Sequence, residues 1–498
     1  MGHSRASETE DTLDETLRQG RIEELPSDDN DEDYEDVVDD DEWKGGPPFP
    51  GKPLLKKLQN LPLWIQDGTF NLFHDELETQ TSEAQEKTTQ ECLPLLRGEE
   101  SLGLSLNSHG IPHLNREKHA SFLEQFTGGL PAPFAAMDAS RPWMFYWTMG
   151  GLSFLGKDVT SRKRDLMETV RPLQNPTGGF GGGHGQYSHA AGTYATLLAL
   201  ATVGGLEVVD RKAMWHFFGQ VKQADGGFRM ALGAEEDIRG AYCAMTAITL
   251  LNLPLELPPD APAREAGLST FLDGLGEWVG KCQTYEGGIA GAPTNEAHGA
   301  YAFCALACLS IIDAPHKSIP KYLNVDSLLC WLTGIQTHPE GGFAGRTNKL
   351  VDACYSHWVG GCWALIEQAI AGSNGQTCNL WSREALIRYL LCCGQQQGKK
   401  GGMRDKPSTR PDAYHTLYSL AGLSAAMNHY HYDTSAPTMD ESGRLTAGFS
   451  WAAKLPSKEE MQAWKVDKQD LVVPVHPVFV MTMDAVEKTR LQFQKAGF

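Results

Sequence analysis

Residues 336–343 read QTHPEGGF, and this short phrase decides the fold because it is one of five copies. The others are QNPTGGF at 174–180, QADGGF at 223–228, QTYEGGI at 283–289 and QQGKKGGM at 396–403. In each, a Gln precedes a Gly-Gly pair and an apolar residue. The pairs recur at intervals of roughly 50 to 60 residues, room for two helices and their connections. Before every copy stands a stretch with apolar residues at helical spacing and charges on the opposite face: 162–173, 211–222, 268–282, 325–335 and 383–393. After every copy, about a dozen residues on, comes a stretch rich in Ala, Leu, Cys and aromatics: 190–203, 241–251, 300–312, 355–370 and 414–427. A helix that is apolar nearly all round is a buried one.

Half-exposed and buried helices in alternation, joined by a constant turn, describe two concentric rings. The expected fold is all-α, an α/α toroid (α6–α6 barrel) built from helix-pair repeats. An open superhelical solenoid is the competing architecture, and the repeat alone does not choose between them. The Gly-Gly turns admit positive φ and close approach between the rings. Residues 138–155 (DASRPWMFYWTMGGLSFL) read as one more buried helix, with Pro142 near its start. The division expected is an acidic disordered tail at 1–50, an irregular extension packing on the barrel at 51–130, the catalytic core at 131–430 and a C-terminal wrap completing the barrel at 431–498.

The net charge of -20 owes much to the first fifty residues, where 28–42 is mostly acidic. Such a run cannot bury enough surface to offset its ordering entropy. The remainder, in a chain that is 41% hydrophobic, supports a large core. No apolar stretch is long enough for a membrane span, and no secretory leader pattern opens the chain, so neither stable membrane insertion nor secretion is expected. The eleven cysteines are irregularly placed, several inside apolar helices (Cys243, Cys304, Cys308, Cys362), which suits a reducing cytoplasmic setting rather than a disulfide framework. The acidic balance argues against nucleic acid as a partner.

Chemistry collects where the buried helices begin. His189, Arg239, His298, Arg346 with Lys349, Asp352 with Cys354, and Tyr414 with His415 all follow their Gly-Gly turns by roughly 5 to 15 residues. In a ring they gather at one end of the central space. Asp352, Cys354 and His415 supply a carboxylate, a thiol and an imidazole, three donors suited to zinc with a fourth position left open. Taken alone, Asp-Ala-Cys is more simply a capping Asp and a buried Cys; the matched repeat positions favour the metal set. His298, Arg346, Lys349 and the Tyr355 hydroxyl suit a diphosphate, although an isolated Arg-x-x-Lys is more simply a solvated loop face. Trp143, Trp147, Tyr194, Tyr301, Phe303, Trp358, Trp363 and Tyr418 either fill or line the central space.

The segments GGFGGGHGQYSHAAGTYA, EEDIRGAYCA, GGIAGAPTNEAHGAYAFC, GGFAGRTNKLVDACYSHWVGGCW and RDKPSTRPDAYHTLYSLAGLS closely resemble the β-subunits of protein farnesyltransferases, over about residues 138–427, with His476-Pro-Val fitting as well. The resemblance implies an α6–α6 barrel paired with a separate helical α-subunit. Carried over, it implies zinc on Asp352, Cys354 and His415, and diphosphate on His298, Arg346, Lys349 and Tyr355. It places the farnesyl chain along Arg239, Tyr301, Cys304 and Trp358 with Tyr194 nearby, and the acceptor peptide near Trp143, Trp147, His189 and Tyr414. Asp405, beside Lys406, corresponds to the family's magnesium contributor. Geranylgeranyl enzymes of the family carry a small residue at the place of Trp143 and usually Phe at that of Tyr418, so an indole at 143 favours farnesyl. One departure stands out: Thr409 replaces a usual lysine, with Arg410 beside it.

The implied reaction joins farnesyl diphosphate to the cysteine of a C-terminal C-a-a-X protein. Zinc favours the acceptor thiolate, and the cationic group and magnesium stabilise the departing diphosphate. A geranylgeranyltransferase β-subunit is the alternative within this class. Terpene cyclases also build α/α barrels but protonate their substrate with an Asp-rich motif, and Glu235-Glu-Asp237 before an Arg matches that poorly. A non-catalytic helical scaffold would leave Asp352, Cys354 and His415 as unrelated core and cap residues. Cys392 and Cys393 read as adjacent buried thiols.

Overall fold

The computed structural model describes residues 77–99, 103–130, 132–336, 339–371, 380–396, 400–494 and 498. The acidic run, with the rest of the expected tail and residues 51–76, lies outside the described residues.

Among the described residues, six inner helical elements carry the core: Arg141–Phe154, Ala190–Val203, Ile238–Leu250, Gly299–Ile312, the pair Tyr355–Trp358 and Gly360–Ala371, and Ala413–Met427. Nearly every residue of Ala190–Val203 and Ile238–Leu250 is buried. Each inner helix packs on the next, and Ala413–Met427 packs back on Arg141–Phe154. The ring is therefore closed, which excludes the open solenoid. Outside it stand Arg116–Glu124, Lys163–Val170, Arg211–Val221, Leu275–Lys281, Val325–Gly334 and Arg383–Tyr389.

The Gly-Gly turns show why the motif demands glycine. Gly178 has φ +87°, and a Cβ there would fall 1.9 Å from the carbonyl oxygen of Ala213 in the next outer helix. Gly401, in the last turn, has φ +70°, and its Cβ would fall 2.3 Å from the Lys118 carbonyl oxygen in Arg116–Glu124. The fifth turn thus seats against the first outer helix, and the repeat closes on itself.

That seam is locked by a buried imidazole. The Gly402 N–H donates to His119 Nδ1 at 3.0 Å, so Nε2 carries the proton and donates to Gln395 Oε1 at 2.8 Å. Burial depresses the His119 pKa from 6.5 to about 4. A histidine depressed in the folded state binds its proton more readily in the unfolded chain, so stability is lost as pH falls from about 6.5 towards about 4. The His119 share is on the order of 3 kcal/mol. Denaturation midpoints should fall over this window, and less steeply in His119→Gln; an equal slope in the variant would show that the seam does not titrate.

Several boundaries differ from expectation. The stretch read as irregular contributes helices Gln80–Leu96 and Arg116–Glu124, the second a member of the outer ring. The outer helix expected at 268–282 shortens to Leu275–Lys281. The Asp273 carboxylate takes the N–H groups of Ser269 and Thr270, and Gly274 turns left-handed at φ +71°, so the chain starts its helix late. After residue 428 comes an antiparallel pair, His429–Tyr432 with Trp451–Lys454, followed by helices Lys458–Trp464 and Met483–Gln494. Part of this region does more than wrap the outside. Val478, Phe479, Val480 and Met481 are buried, and the Tyr242 and Tyr146 hydroxyls donate to the carbonyls of Val478 (2.6 Å) and Val480 (2.7 Å). This segment packs beneath the ring's inner tyrosines.

Candidate active site

Two of the residues expected at the ring's mouth, His189 and His298, cap their helices. His189 Nδ1 accepts from the Ala191 N–H (3.2 Å) and His298 Nδ1 from the Ala300 N–H (3.0 Å). Asp237 accepts from Arg239 N–H (2.7 Å), and Asp412 from His415 N–H (2.7 Å). Four inner helices, Ala190–Val203, Ile238–Leu250, Gly299–Ile312 and Ala413–Met427, thus begin with a His or Asp side chain that satisfies a backbone donor the helix leaves open.

Asp352, Cys354 and His415 come together as expected: one ligand atom from each lies within 4.8 Å of the other two. The Cys354 N–H donates to Asp352 Oδ1 (2.7 Å), which fixes that carboxylate, and His415 Nε2 lies 3.3 Å from the same oxygen. On the far side of the imidazole, Nδ1 meets Asp412 Oδ2 at 2.6 Å. Burial alone would lower the His415 pKa, but the Asp352 and Asp412 carboxylates outweigh it and raise it well above 6.5. Burial would raise Asp352, yet His415 and the bonds from Cys354 hold it below its ordinary value. Burial, then Asp352, drives the Cys354 thiol well up. Surroundings that hold a proton between two carboxylates suit a divalent cation still better. A carboxylate–histidine pair behind the donor nitrogen is the usual support for a metal-binding imidazole. The donor set fits zinc. Asp412 was not singled out from the sequence; its position three residues before His415, at a helix start, was the available signal.

The cationic residues are partly paired with one another's neighbours. Arg239 forks onto Asp237 through Nε and Nη2, both at 2.9 Å, and its guanidinium lies 5.4 Å from the Tyr301 ring centre. Arg346 Nη1 meets Glu296 Oε2 at 2.9 Å. Arg346 and Lys349 share a loop pinned at its base by the Ala344–Val351 bridge, and the Gly299 N–H ties that loop to an inner helix through the Gly345 carbonyl (2.8 Å). His298 sits between the rings of Tyr301 (5.0 Å) and Tyr355 (5.5 Å), its Nε2 3.2 Å from the Tyr355 hydroxyl. Burial, then the nearby Arg346 and Arg239, lower its pKa to about 4, so the ring is neutral and Nε2 bears the proton. Burial likewise lowers His189 to about 4.

About one turn further along the inner helices lies an aromatic layer. Trp143 stacks on Trp147 (5.8 Å) and meets Tyr194 (6.1 Å). Trp147 meets Tyr414 (5.4 Å), Tyr414 meets Tyr418 (4.9 Å), and Trp358 packs 4.5 Å from Tyr418 while its indole N–H donates to the Tyr414 hydroxyl (3.1 Å). Tyr194 and Tyr242 join through their hydroxyls at 3.2 Å, making Tyr242 a member of this layer that the sequence reading passed over. Cys304 is buried among them, its thiol pushed well up by that burial.

Asp405 is 5% exposed, paired with Lys406, and its Oδ1 is buried without a hydrogen-bond partner. Burial, then the nearby Asp352, push its carboxyl up to about 8. The Asp405 carbonyl accepts from Ala353 N–H (3.1 Å), so this loop packs directly behind Asp352 and Cys354. Thr409 occupies itself with the turn, its hydroxyl donating to the Lys406 carbonyl (3.0 Å). Cys392 and Cys393 are both buried.

Comparison with known proteins follows the same lines. Residues 114–481 match the family model described as the prenyltransferase alpha-alpha toroid domain. The chain is 50% identical over 439 residues to the protein farnesyltransferase subunit beta of Pyricularia oryzae, covering 85% of this chain and 83% of that one. It is 37% identical over 367 residues to the protein of the same name in Schizosaccharomyces pombe, covering 72% and 88%. Among solved structures, the Candida albicans protein geranylgeranyltransferase-I complexed with GGPP aligns with a TM-score of 0.57 at 19% identity, over 76% of this chain and 99% of that one; this likeness concerns the fold.

Proposed function

From the premise that this chain belongs to the prenyltransferase α/α toroid family and is an enzyme subunit akin to protein farnesyltransferase β-subunits, we propose that it transfers farnesyl from farnesyl diphosphate to the cysteine thiol of C-a-a-X proteins, in complex with an α-type subunit. The observation that carries this reading is the meeting of Asp352, Cys354 and His415 at the mouth of a closed, aromatic-walled ring. Those three side chains would hold zinc. When bound, zinc supplies the Lewis acidity that favours the deprotonated form of an acceptor thiol at neutral pH.

The chain's own residues account for the rest. Trp358, Tyr301, Cys304, Tyr194 and the Arg239 side chain offer an apolar wall for an isoprenoid, with Trp143 and Tyr418 setting its depth. Asp237 grips one edge of the Arg239 guanidinium through Nε and Nη2, which pairs its charge in a half-buried place. His298, protonated on Nε2, and the Tyr355 hydroxyl present donors to diphosphate oxygens, while Arg346 and Lys349 bring positive charge on a loop held at its base. These groups offset the negative charge that grows on the leaving oxygen as the C1–O bond breaks. The unpartnered Asp405 Oδ1 would give one oxygen to a magnesium ion carried by the diphosphate, as a hard cation prefers. His189 and Tyr414 at the rim, with Trp147 packed against Tyr414, would contact the acceptor peptide.

The test offers the purified complex equal concentrations of farnesyl and geranylgeranyl diphosphate with a C-a-a-X peptide, and reads the peptide by mass. Farnesyl on the cysteine is expected; a geranylgeranyl product would favour the alternative within the family, and an unmodified peptide would defeat both. A further expectation concerns support for the metal. Asp412→Asn keeps the cap oxygen but removes the charge behind His415, and should weaken zinc retention by about 10- to 100-fold, measured by chelator competition. Unchanged retention would mean that Asp412 only caps its helix.

A further inference from the structure

A second group of metal-ligating side chains lies outside the mouth, where the segment leading into Arg116–Glu124 meets the C-terminal region. His109 and His113, in the sequence HGIPH, lead into the outer helix Arg116–Glu124; Asp467 and Asp470, in DKQD, follow the helix Lys458–Trp464. His113 and Asp470 are 357 positions apart in sequence, yet His113 Nδ1 and Asp470 Oδ1 are 2.8 Å apart.

Each member has a distinct part. Asp470 is fully buried and saturated: besides His113 it accepts the N–H groups of Leu114 (3.1 Å) and Asp467 (3.0 Å) and the Asn107 amide (3.4 Å). It therefore fixes the proton of His113 on Nδ1 and leaves the Nε2 lone pair as the donor. That Nε2 lies 4.0 Å from Asp467 Oδ2, and His109 Nε2 lies 3.9 Å from Asp467 Oδ1. Neither separation is a hydrogen bond. Asp467 itself accepts the Ser108 N–H (2.9 Å) and hydroxyl (2.6 Å), and the Gln469 amide nitrogen lies 2.6 Å from His113 Nε2 and 2.8 Å from Nδ1. Two imidazoles thus flank one carboxylate, and one of them is oriented by a second, buried carboxylate. That is the arrangement by which proteins prepare a histidine for a metal. His109 and His113 approach opposite oxygens of Asp467, so binding one ion requires the two imidazoles to rotate towards a common point beside that carboxylate.

The geometry points to a second divalent-cation site, with His109, His113 and Asp467 as ligands and Asp470 as the orienting partner, taking Zn²⁺ or a similar ion of the imidazole–carboxylate class. Bound there, the ion staples the segment entering the ring to the C-terminal region. Arg116 already bridges the same two segments through the carbonyls of Leu471 (2.7 Å) and Gln469 (3.2 Å), so the staple reinforces an existing joint. Gln469 is exposed at this contact and yields the Nε2 face to the incoming ion.

The experiment counts zinc per chain in the complex with its α-type subunit, after exchange against a zinc-buffered solution. Two equivalents are expected in the wild type and one in Cys354→Ala. Asp467→Asn and His113→Phe should each keep one, with the transfer rate within about twofold of wild type. In the Cys354→Ala background, added Zn²⁺ should raise the melting temperature, and Asp467→Asn should abolish that rise. One equivalent in the wild type that Asp467→Asn leaves in place, or a count and a thermal response indifferent to Asp467→Asn, would overturn the proposal. Failure of the catalytic assignment reads differently: it leaves a zinc that ignores Cys354→Ala but disappears with Asp467→Asn.

Discussion

Cys354→Ala should cost the complex one zinc equivalent and on the order of a thousandfold or more in farnesyl transfer, while the ring still folds. The loss follows from the donor set: removing the thiol leaves a carboxylate and an imidazole, too few to hold the ion, and the Lewis-acid contribution of several kcal/mol goes with it. At about 1.4 kcal/mol per decade, that is three orders of magnitude. Folding should survive because Cys354 is one buried atom group in a segment anchored by other bonds: the Asp352–Phe343 and Ala353–Asp405 backbone contacts remain (3.1 Å each). The measurement is metal content and transfer rate beside a circular-dichroism melt. A variant that melts normally and keeps both metal and rate would remove Cys354 from the site.

Trp143→Ala should turn the preference between the two diphosphates by about 100-fold towards geranylgeranyl. Its indole, half-buried and in the first turn of its helix, stacks on Trp147 and abuts Tyr194. Deleting it opens space in the aromatic layer, and an added isoprene unit buries apolar surface worth a few kcal/mol once that space exists. The reading is the ratio of kcat/KM values for the two diphosphates. An unchanged ratio would place the depth stop elsewhere in the layer, with Tyr418 the next residue to vary.

The five turns made the toroid legible because glycine is demanded there by geometry: positive φ and a neighbouring carbonyl too near for a Cβ leave no substitute, so the signal repeats at every copy. The inner helices were legible for a related reason. A helix buried on all sides shows in composition, and the expected 190–203 coincides with Ala190–Val203. Ring closure was not legible. Closure rests on Ala413–Met427 packing back on Arg141–Phe154, a contact between distant segments that no local pattern records, and the short outer helix Arg116–Glu124 buries only His119, Ala120, Phe122 and Leu123, too few positions to stand out. At the mouth, residue type and repeat position brought Asp352, Cys354 and His415 to notice. Asp412 was passed over because a carboxylate before a helix reads as an ordinary cap, and Asp237 was weighed only as part of a poor acid motif. In this protein the caps also hold Arg239 and His415 in place, a second duty that only spatial neighbours reveal.

The central claim is that the mouth of the ring is a zinc site made by Asp352, Cys354 and His415. Anomalous diffraction at the zinc edge, on crystals of the complex with its α-type subunit, tests it most directly. An anomalous peak bounded by those three side chains, with the Cys354 sulfur at about 2.3 Å, is the predicted result. Zinc-replete crystals with no peak at that position would contradict it.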